Sequence, residues 1–292
     1  MAAVTKAVIL AAGLGTRMLP ATRAIPKEML PVVDKPLIQY AVEECVAAGI
    51  EHVIFVVTEG KDTIREHFAA EGRVAAWAQA RGNTALAAAA RLPGRLARFD
   101  YVTQEGPLGI AHAVSCARAF VEGEAFALLF PDDLILAAEP VTRQLSRVYE
   151  ACGGSVVAVM EVPREEIPQY CIVDPAAPGN PARLRGVIEK PSPERAPSAL
   201  GIVGRYILSP SIFRHIDGLT VGAGGELQIT DALASEIASG GPVWAFAFEG
   251  ARFDTGRPAG LLVASVAAAL RRPELAPALR VGLGALLERP GC

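Results

Sequence analysis

Long apolar runs are missing from this chain of 292 residues: its strongly hydrophobic stretches, such as Leu261 to Leu270, reach only about ten residues, whereas a spanning helix needs roughly 20. A membrane protein is therefore not expected, although 51% of the residues are hydrophobic and the mean hydropathy is +0.33. Alanine runs such as Ala87 to Ala90 account for much of that figure. Lys6 followed by Ala7 to Leu14 imitates a signal peptide. Gly13 and Gly15 interrupt it, Arg17 follows, and no small-x-small cleavage site is present, so secretion is not expected. Cysteines are five in number, scattered (Cys45, Cys116, Cys152, Cys171, Cys292) and never in CxxC spacing. That excludes a disulfide framework and structural zinc, and fits a reducing cytoplasm. Excess positive charge is also lacking. The formal net charge is −3 and the pI about 5.9, where a protein built to coat nucleic acid would be basic.

What is present is an alternation of strand-like and helix-like segments. Lys6 to Leu10, His52 to Val57, Tyr101 to Thr103 and Ala125 to Phe130 read as strands. Pro36 to Ala48, closed by Gly49, reads as a helix, as do Lys61 to Phe68 and Leu108 to Val121. The alternation predicts an α/β, Rossmann-like fold with a mostly parallel central sheet and helices on both faces. Residues 72–98, rich in alanine and arginine, read as a peripheral helical insertion. Residues 163–197, with frequent prolines and short strands at Cys171 to Val173 and Leu184 to Glu189, read as a small antiparallel appendage. Ala199 to Leu208 and Val243 to Phe248 return as strands. Residues 257–292 read as a C-terminal tail, helical from Pro258 to Glu288.

Against this background the segment AAGLGTRMLPATRAIPKEMLP, Ala11 to Pro31, stands out. A dinucleotide fold wants G-x-G-x-x-G, but Met18 holds the third position. The P-loop pattern G-x-x-x-x-G-K-[ST] is absent. What remains is a tight glycine turn after a buried strand, at the edge of the sheet where such folds bind ligands. Its backbone amides suit phosphate oxygens. Arg17 adds a planar fork and Lys27 a point charge, which together suggest a triphosphate.

The longer segment AAGLGTRMLPATRAIPKEMLPVVDKPLIQY resembles the signature of the sugar-nucleotide pyrophosphorylases, most closely the UTP–glucose-1-phosphate uridylyltransferase branch. Further motifs follow in that family's order: Gln104 with PLGIAHA (Pro107 to Ala113), FPDD (Phe130 to Asp133), VIEKP (Val187 to Pro191), IVGRY (Ile202 to Tyr206), ELQITDAL (Glu226 to Leu233) and FDTG (Phe253 to Gly256). The resemblance spans residues 6 to about 256. It implies a catalytic domain over 1–256, with the appendage on the sugar side. It also implies transfer of a uridylyl group from UTP to glucose 1-phosphate with Mg²⁺, and relatives that form homodimers or homotetramers.

By the same resemblance, Arg17 and Lys27 bind the triphosphate and the departing pyrophosphate. Gln104 and the backbone of Gly109 read the base. Glu28 and the segment carrying Ala11, Ala12, Gly13, Gly15 and Thr16 complete the nucleotide site. Gly109 is expected where a side chain would obstruct the base. Glu189, Lys190, Gly204 and Tyr206 face the sugar phosphate. Asp132, after the strand ending at Phe130, and Asp254, a short loop beyond Phe248, are the implied Mg²⁺ ligands, and two carboxylates from distant segments suit a hard cation. Plainer roles exist for several of these. Asp132-Asp133 also fits a cap for the next segment, Glu189-Lys190 an exposed turn, and His112 a packing residue. Two departures concern the sugar side: Cys171 stands where relatives commonly have glycine, and Arg257-Pro258 follows FDTG. A thymidylyl-transferring enzyme and a non-catalytic nucleotide-sugar sensor are the alternatives. Retention of Arg17, Lys27, Asp132, Lys190 and Asp254 argues against the sensor.

Overall fold

The computed structural model describes residues 3–121, 123–220 and 225–288, so Cys292 and the last four positions of the expected tail lie outside the described residues. The strands are β1 (Lys6–Ala11), β2 (Pro31–Val32), β3 (Lys35–Pro36), β4 (His52–Val57), β5 (Arg98–Thr103), β6 (Phe126–Leu129), β7 (Asp133–Leu136), β8 (Ser155–Glu161), β9 (Cys171–Pro175), β10 (Ala182–Glu189), β11 (Leu200–Leu208), β12 (Val243–Ala247) and β13 (Ala251–Asp254). Nine of them form one sheet in the order β5-β4-β1-β6-β11-β8-β12-β10-β9.

Strand β1 shows why the sheet is covered on both faces. Side chains alternate along a strand. Val8 enters one core with Ala111, Val114 and Ala232, while Ala7 and Ile9 enter the other with Ile38, Val42 and Leu145. All of these are buried. The helices Ile110–Cys116 and Ile229–Ala238 thus lie on one side, and Leu37–Ala47 and Val141–Cys152 on the other.

The expected mostly parallel sheet is corrected to a mixed one. Strands β5, β4, β1 and β6 run parallel to one another, as do β8 and β12 to each other. Between these sets lies β11, antiparallel to both β6 and β8. The separate antiparallel appendage is corrected too. Strands β9 and β10 pair antiparallel with each other, and β10 continues the main sheet through β12. A doubly covered strand is a near-continuous apolar run whichever way it points, so its direction leaves no mark on periodicity. Helix Val141–Cys152 and strand β8 were not anticipated from the sequence.

Residues 73–80 and 84–91 form a helical pair, with the Asn83 side chain accepting from the Leu86 amide at the second N-terminus. Near the C-terminus, helix Pro258–Leu270 seats Ala264 and Ala268 against Val32, Leu37 and Leu134. Arg272 donates to Asp34 (2.7 Å), joining the following turn to the β2–β3 hairpin. No described helix is long and apolar enough to cross a membrane. The parallel strands end in register, Ala11 beside Val57 and Val57 beside Thr103. The loops that follow them share one edge of the sheet.

Candidate active site at the carboxyl edge of the sheet

After β1 the chain turns at Gly13 and Gly15, then passes through three short 3-10 turns, Thr16–Met18, Ala21–Arg23 and Lys27–Met29. Prolines at 20, 26 and 31 keep it from becoming an α-helix. The turn thus offers amides and cations rather than a helix dipole. Gly15 is left-handed (φ 68°), and a Cβ there would sit 3.1 Å from Lys27 Cβ. Thr22 Oγ1 donates to Gly15 O (2.8 Å), bracing the turn.

Lys27 Nζ donates to Asp132 Oδ2 at 2.6 Å. Burial works against the charge on each. The Asp132 carboxylate outweighs burial at Lys27 and leaves its pKa raised, and Lys27 in turn holds Asp132 below the usual carboxylate range. Both groups are therefore charged at neutral pH. Thr255 donates its backbone N–H and its hydroxyl to the Asp132 carbonyl, each at 2.8 Å. Its neighbour Asp254 does not hang on a loop after β12, as expected. It ends β13, a strand paired antiparallel with β7, where Asp254 lies opposite Asp133. At Gly256 an added Cβ would meet Asp254 Oδ1 at 3.1 Å and both Arg17 Nη2 and Asp132 Oδ2 at 3.3 Å. The two candidate metal ligands and Arg17 thus surround one point, which the glycine leaves open.

Asp133 is committed elsewhere. Its Oδ2 accepts from the Gly204 amide (2.8 Å), and its Oδ1 from Arg252 Nε (2.6 Å) and Nη2. Arg252 Nη1 also reaches Tyr170 Oη (2.8 Å). Among the described residues no three His, Cys, Asp or Glu side chains converge on a metal site. Two carboxylates at an open position are nonetheless a donor set that fits Mg²⁺, which keeps several waters and binds substrate phosphates.

Two cavities meet here. The smaller, about 280 Å³, is lined by Ala12, Gly13, Lys27, Glu28, Gln104 and Gly109. The larger, about 730 Å³, is lined by Arg17, Cys171, Glu189, Lys190, Gly204, Tyr206 and Asp254. Asp132, Phe130, Ile110 and Glu226 line both. Ala11, Gly15 and Thr16 line neither. Ala11 is buried in β1, Gly15 shapes the turn, and Thr16 begins the first 3-10 turn.

In the smaller cavity, Gln104 Nε2 donates to Gly109 O (3.1 Å) and His112 Nδ1 (3.2 Å). The backbone packing at Gly109 itself excludes a side chain. Its φ is 98°, and a Cβ would lie 2.4 Å from Leu227 O, inside the backbone that the Leu227 amide ties to Leu108 O (2.8 Å). Glu28 lines the same cavity. It is fully buried, with Oε2 accepting from Lys61 Nζ (2.8 Å) and Oε1 lacking a partner. Lys61, 8% exposed, also donates to Gly13 O (2.7 Å) and so ties the glycine turn to the floor of the cavity. Burial raises the Glu28 pKa and lowers that of Lys61, each opposed by the partner's charge. Lys61 was missed in the sequence; its only signal was a cation just after the buried strand β4.

In the larger cavity, Thr230 Oγ1 donates to Glu189 Oε2 (3.1 Å) and Lys190 Nζ lies 3.5 Å from Glu189 Oε1. Lys190 has φ 45°, a conformation that a non-glycine residue adopts only when its surroundings impose it. The Lys190 amide donates to Tyr170 O (3.0 Å) and pins that geometry. Cys171 is buried, and its thiol pKa is raised by burial and by Glu189. The Tyr206 hydroxyl is pushed well above its ordinary pKa by burial, and its ring lies 5.6 Å from that of Phe130.

A sequence model of nucleotidyl transferases matches residues 6–270. A Bacillus subtilis (strain 168) protein named UTP–glucose-1-phosphate uridylyltransferase is 42% identical over 292 residues, covering 99% of each chain. The solved UTP-bound UGPase of Acinetobacter baumannii is similar over 98% of this chain and 100% of its own, with 33% identity and a TM-score of 0.86. A UDP-glucose pyrophosphorylase complexed with UDP-glucose is similar over 92% of this chain and 100% of its own, with 35% identity and a TM-score of 0.81. With the match running through every strand that carries the site, the chain belongs to the nucleotidyl transferase family.

Proposed function

We propose that this chain transfers a uridylyl group from UTP to glucose 1-phosphate, giving UDP-glucose and pyrophosphate. The observation that carries the reading is the junction at Asp132, which lines the smaller cavity and the larger polar cleft at once. A reaction that joins two substrates through a phosphate needs its charged groups at such a meeting point. The names of the relatives supply UTP and UDP-glucose as the occupants.

The nucleophile is a phosphate oxygen of the sugar phosphate, already anionic, so no covalent enzyme intermediate is needed. It attacks the α-phosphorus in line. A new P–O bond forms as the bond to the β-phosphate bridging oxygen breaks, and pyrophosphate leaves with that electron pair. Catalysis is then positioning plus charge neutralisation. Gln104 and Gly109 hold the base. Lys27 sits in the nucleotide cavity, its ammonium steadied by Asp132. Arg17, beside the junction, meets the charge that develops on the pyrophosphate. Lys190 and Glu189 hold the sugar phosphate and its hydroxyls. Asp132 and Asp254 would hold Mg²⁺, which when bound neutralises triphosphate charge as a Lewis acid.

The cytoplasm is the compartment we assign, consistent with Cys45, Cys116, Cys152 and Cys171 being free thiols. A dimer or tetramer is the assembly we assign, consistent with Leu262, Val263 and Val281 exposed on the C-terminal helices; light scattering tests it. The activity is tested by pyrophosphate release over a grid of UTP, dTTP, CTP and ATP against several sugar 1-phosphates. UTP with glucose 1-phosphate is the expected best pair. A lead for dTTP replaces the uridylyl reading with the thymidylyl one. No release from any pair in a folded sample supplied with magnesium makes the chain a sensor.

A further inference from the structure

Gln104 is 6% exposed and faces the nucleotide cavity. Its amide nitrogen lies between two groups, the Gly109 carbonyl at 3.1 Å and His112 Nδ1 at 3.2 Å. The carbonyl can only accept, and it also accepts from the Ala113 amide (3.1 Å). The imidazole accepts at Nδ1 only when neutral with its proton on Nε2. Two acceptors side by side select the nitrogen end of the amide and turn Oε1 the other way. Among the described residues, Gln104 Oε1 makes no hydrogen bond of its own.

We propose that His112 is a positioning residue for base specificity: its Nδ1, together with Gly109 O, fixes the Gln104 amide so that the cavity presents an acceptor to the base. This rests on the uridylyl reading above. Uracil carries an N3–H that donates to such an acceptor. Cytosine carries a bare N3 acceptor at the same place, so its lone pair would face the Gln104 oxygen. With Nδ1 removed, one of the two groups that orient the amide is gone, and the flipped amide, which favours cytosine, becomes accessible. His112 itself touches neither base nor phosphate in this role. It acts through Gln104.

The test is kcat/KM for UTP and for CTP, with glucose 1-phosphate, in the unmodified chain, His112→Leu and His112→Asn. Loss of one hydrogen bond predicts a fall of roughly three- to tenfold in the UTP-to-CTP ratio for His112→Leu. His112→Asn restores an acceptor oxygen near the Nδ1 position and recovers most of the ratio. An unchanged ratio in His112→Leu, or equal losses for both triphosphates, overturns the inference while leaving the uridylyl reading intact. An unmodified chain that does not prefer UTP to CTP overturns both. Nitrogen-15 NMR of the unmodified chain gives a measurement independent of whether the variants fold. Above the histidine titration range, with the His112 signals identified by their loss in His112→Asn or by sequential assignment, Nδ1 must be unprotonated. A proton on Nδ1 overturns the inference.

Discussion

Lys61→Met removes the ammonium that holds Glu28 and Gly13 together while keeping a side chain of similar length. The pair is buried, with Lys61 8% and Glu28 0% exposed. Glu28 Oε1 already lacks a partner, so the substitution leaves the whole carboxylate unpaired in the core. Removing one member of a buried pair costs about 3–5 kcal/mol. Gly13 is exposed, so water replaces the lost contact at its carbonyl and adds little. For a chain of this size the melting temperature should fall on the order of 10 °C. The loss should also depend on pH. Without Lys61 the Glu28 pKa rises further above its unfolded value, which is about 4.3, and the folded state keeps a proton that the unfolded chain releases. The deficit relative to the unmodified chain is then smallest at acid pH, where Glu28 is protonated in both states. It grows as pH rises from the already raised Glu28 pKa of the unmodified chain, above the ordinary carboxylate range, toward neutrality. Adding Glu28→Gln to the variant removes the titrating group and should flatten the profile while recovering part of the stability. Thermal melts of all three proteins across this pH range make the measurement. A deficit below about 1 kcal/mol, or one of constant size across the range, refutes the claim that Lys61 neutralises a buried carboxylate.

Asp132→Asn should lower turnover by about 10²–10³ while the protein stays folded, because Lys27 and Asp132 keep 18% and 23% exposure and water can solvate what remains; near-normal turnover at ordinary magnesium removes Asp132 from the metal site. Arg17→Ala should depress kcat by about 10²–10³ with a smaller change in the UTP KM, since the guanidinium acts on charge that develops only as the pyrophosphate leaves; a rise in KM alone makes Arg17 a binding residue. Gly204→Ala places a Cβ 2.6 Å from Asp133 Oδ2 and from Phe130 Cβ, so stability should drop by about 1–3 kcal/mol and the glucose 1-phosphate KM should rise; wild-type melting and kinetics would show that the floor of the cleft yields freely.

The charged constellation was legible because it is carried by local motifs. A buried strand, a glycine turn and cations before a run of prolines can be read in order, and strand ends place Asp132 without reference to the rest of the fold. Arg17, Lys27, Asp132 and Asp254 accordingly come together as expected. The resemblance named Asp132 as the metal ligand, but the motifs did not say what its neighbour Asp133 is bound to. Arg252 and the Gly204 amide, from β13 and β11, arrive at Asp133, whereas Asp132 meets Lys27 and lines both cavities.

The same limit explains the other corrections. Strand β11 reads as an apolar segment in either direction, so its antiparallel insertion between β6 and β8 was invisible in periodicity. Gly109 announced itself as a glycine that matters. The Leu227 backbone that forbids a side chain there lies more than a hundred residues along the chain. Lys61 looked like any cation at a helix start until burial set it against Glu28 and Gly13 O. The sequence by itself determined the strand-end chemistry: the glycine turn, its cations and the two candidate metal carboxylates. Tertiary structure decided strand direction, what commits Asp133 and which lysine is structural. Those outcomes depend on groups remote in sequence meeting in a space that water cannot enter, where one unpaired charge costs more than any local preference can offset.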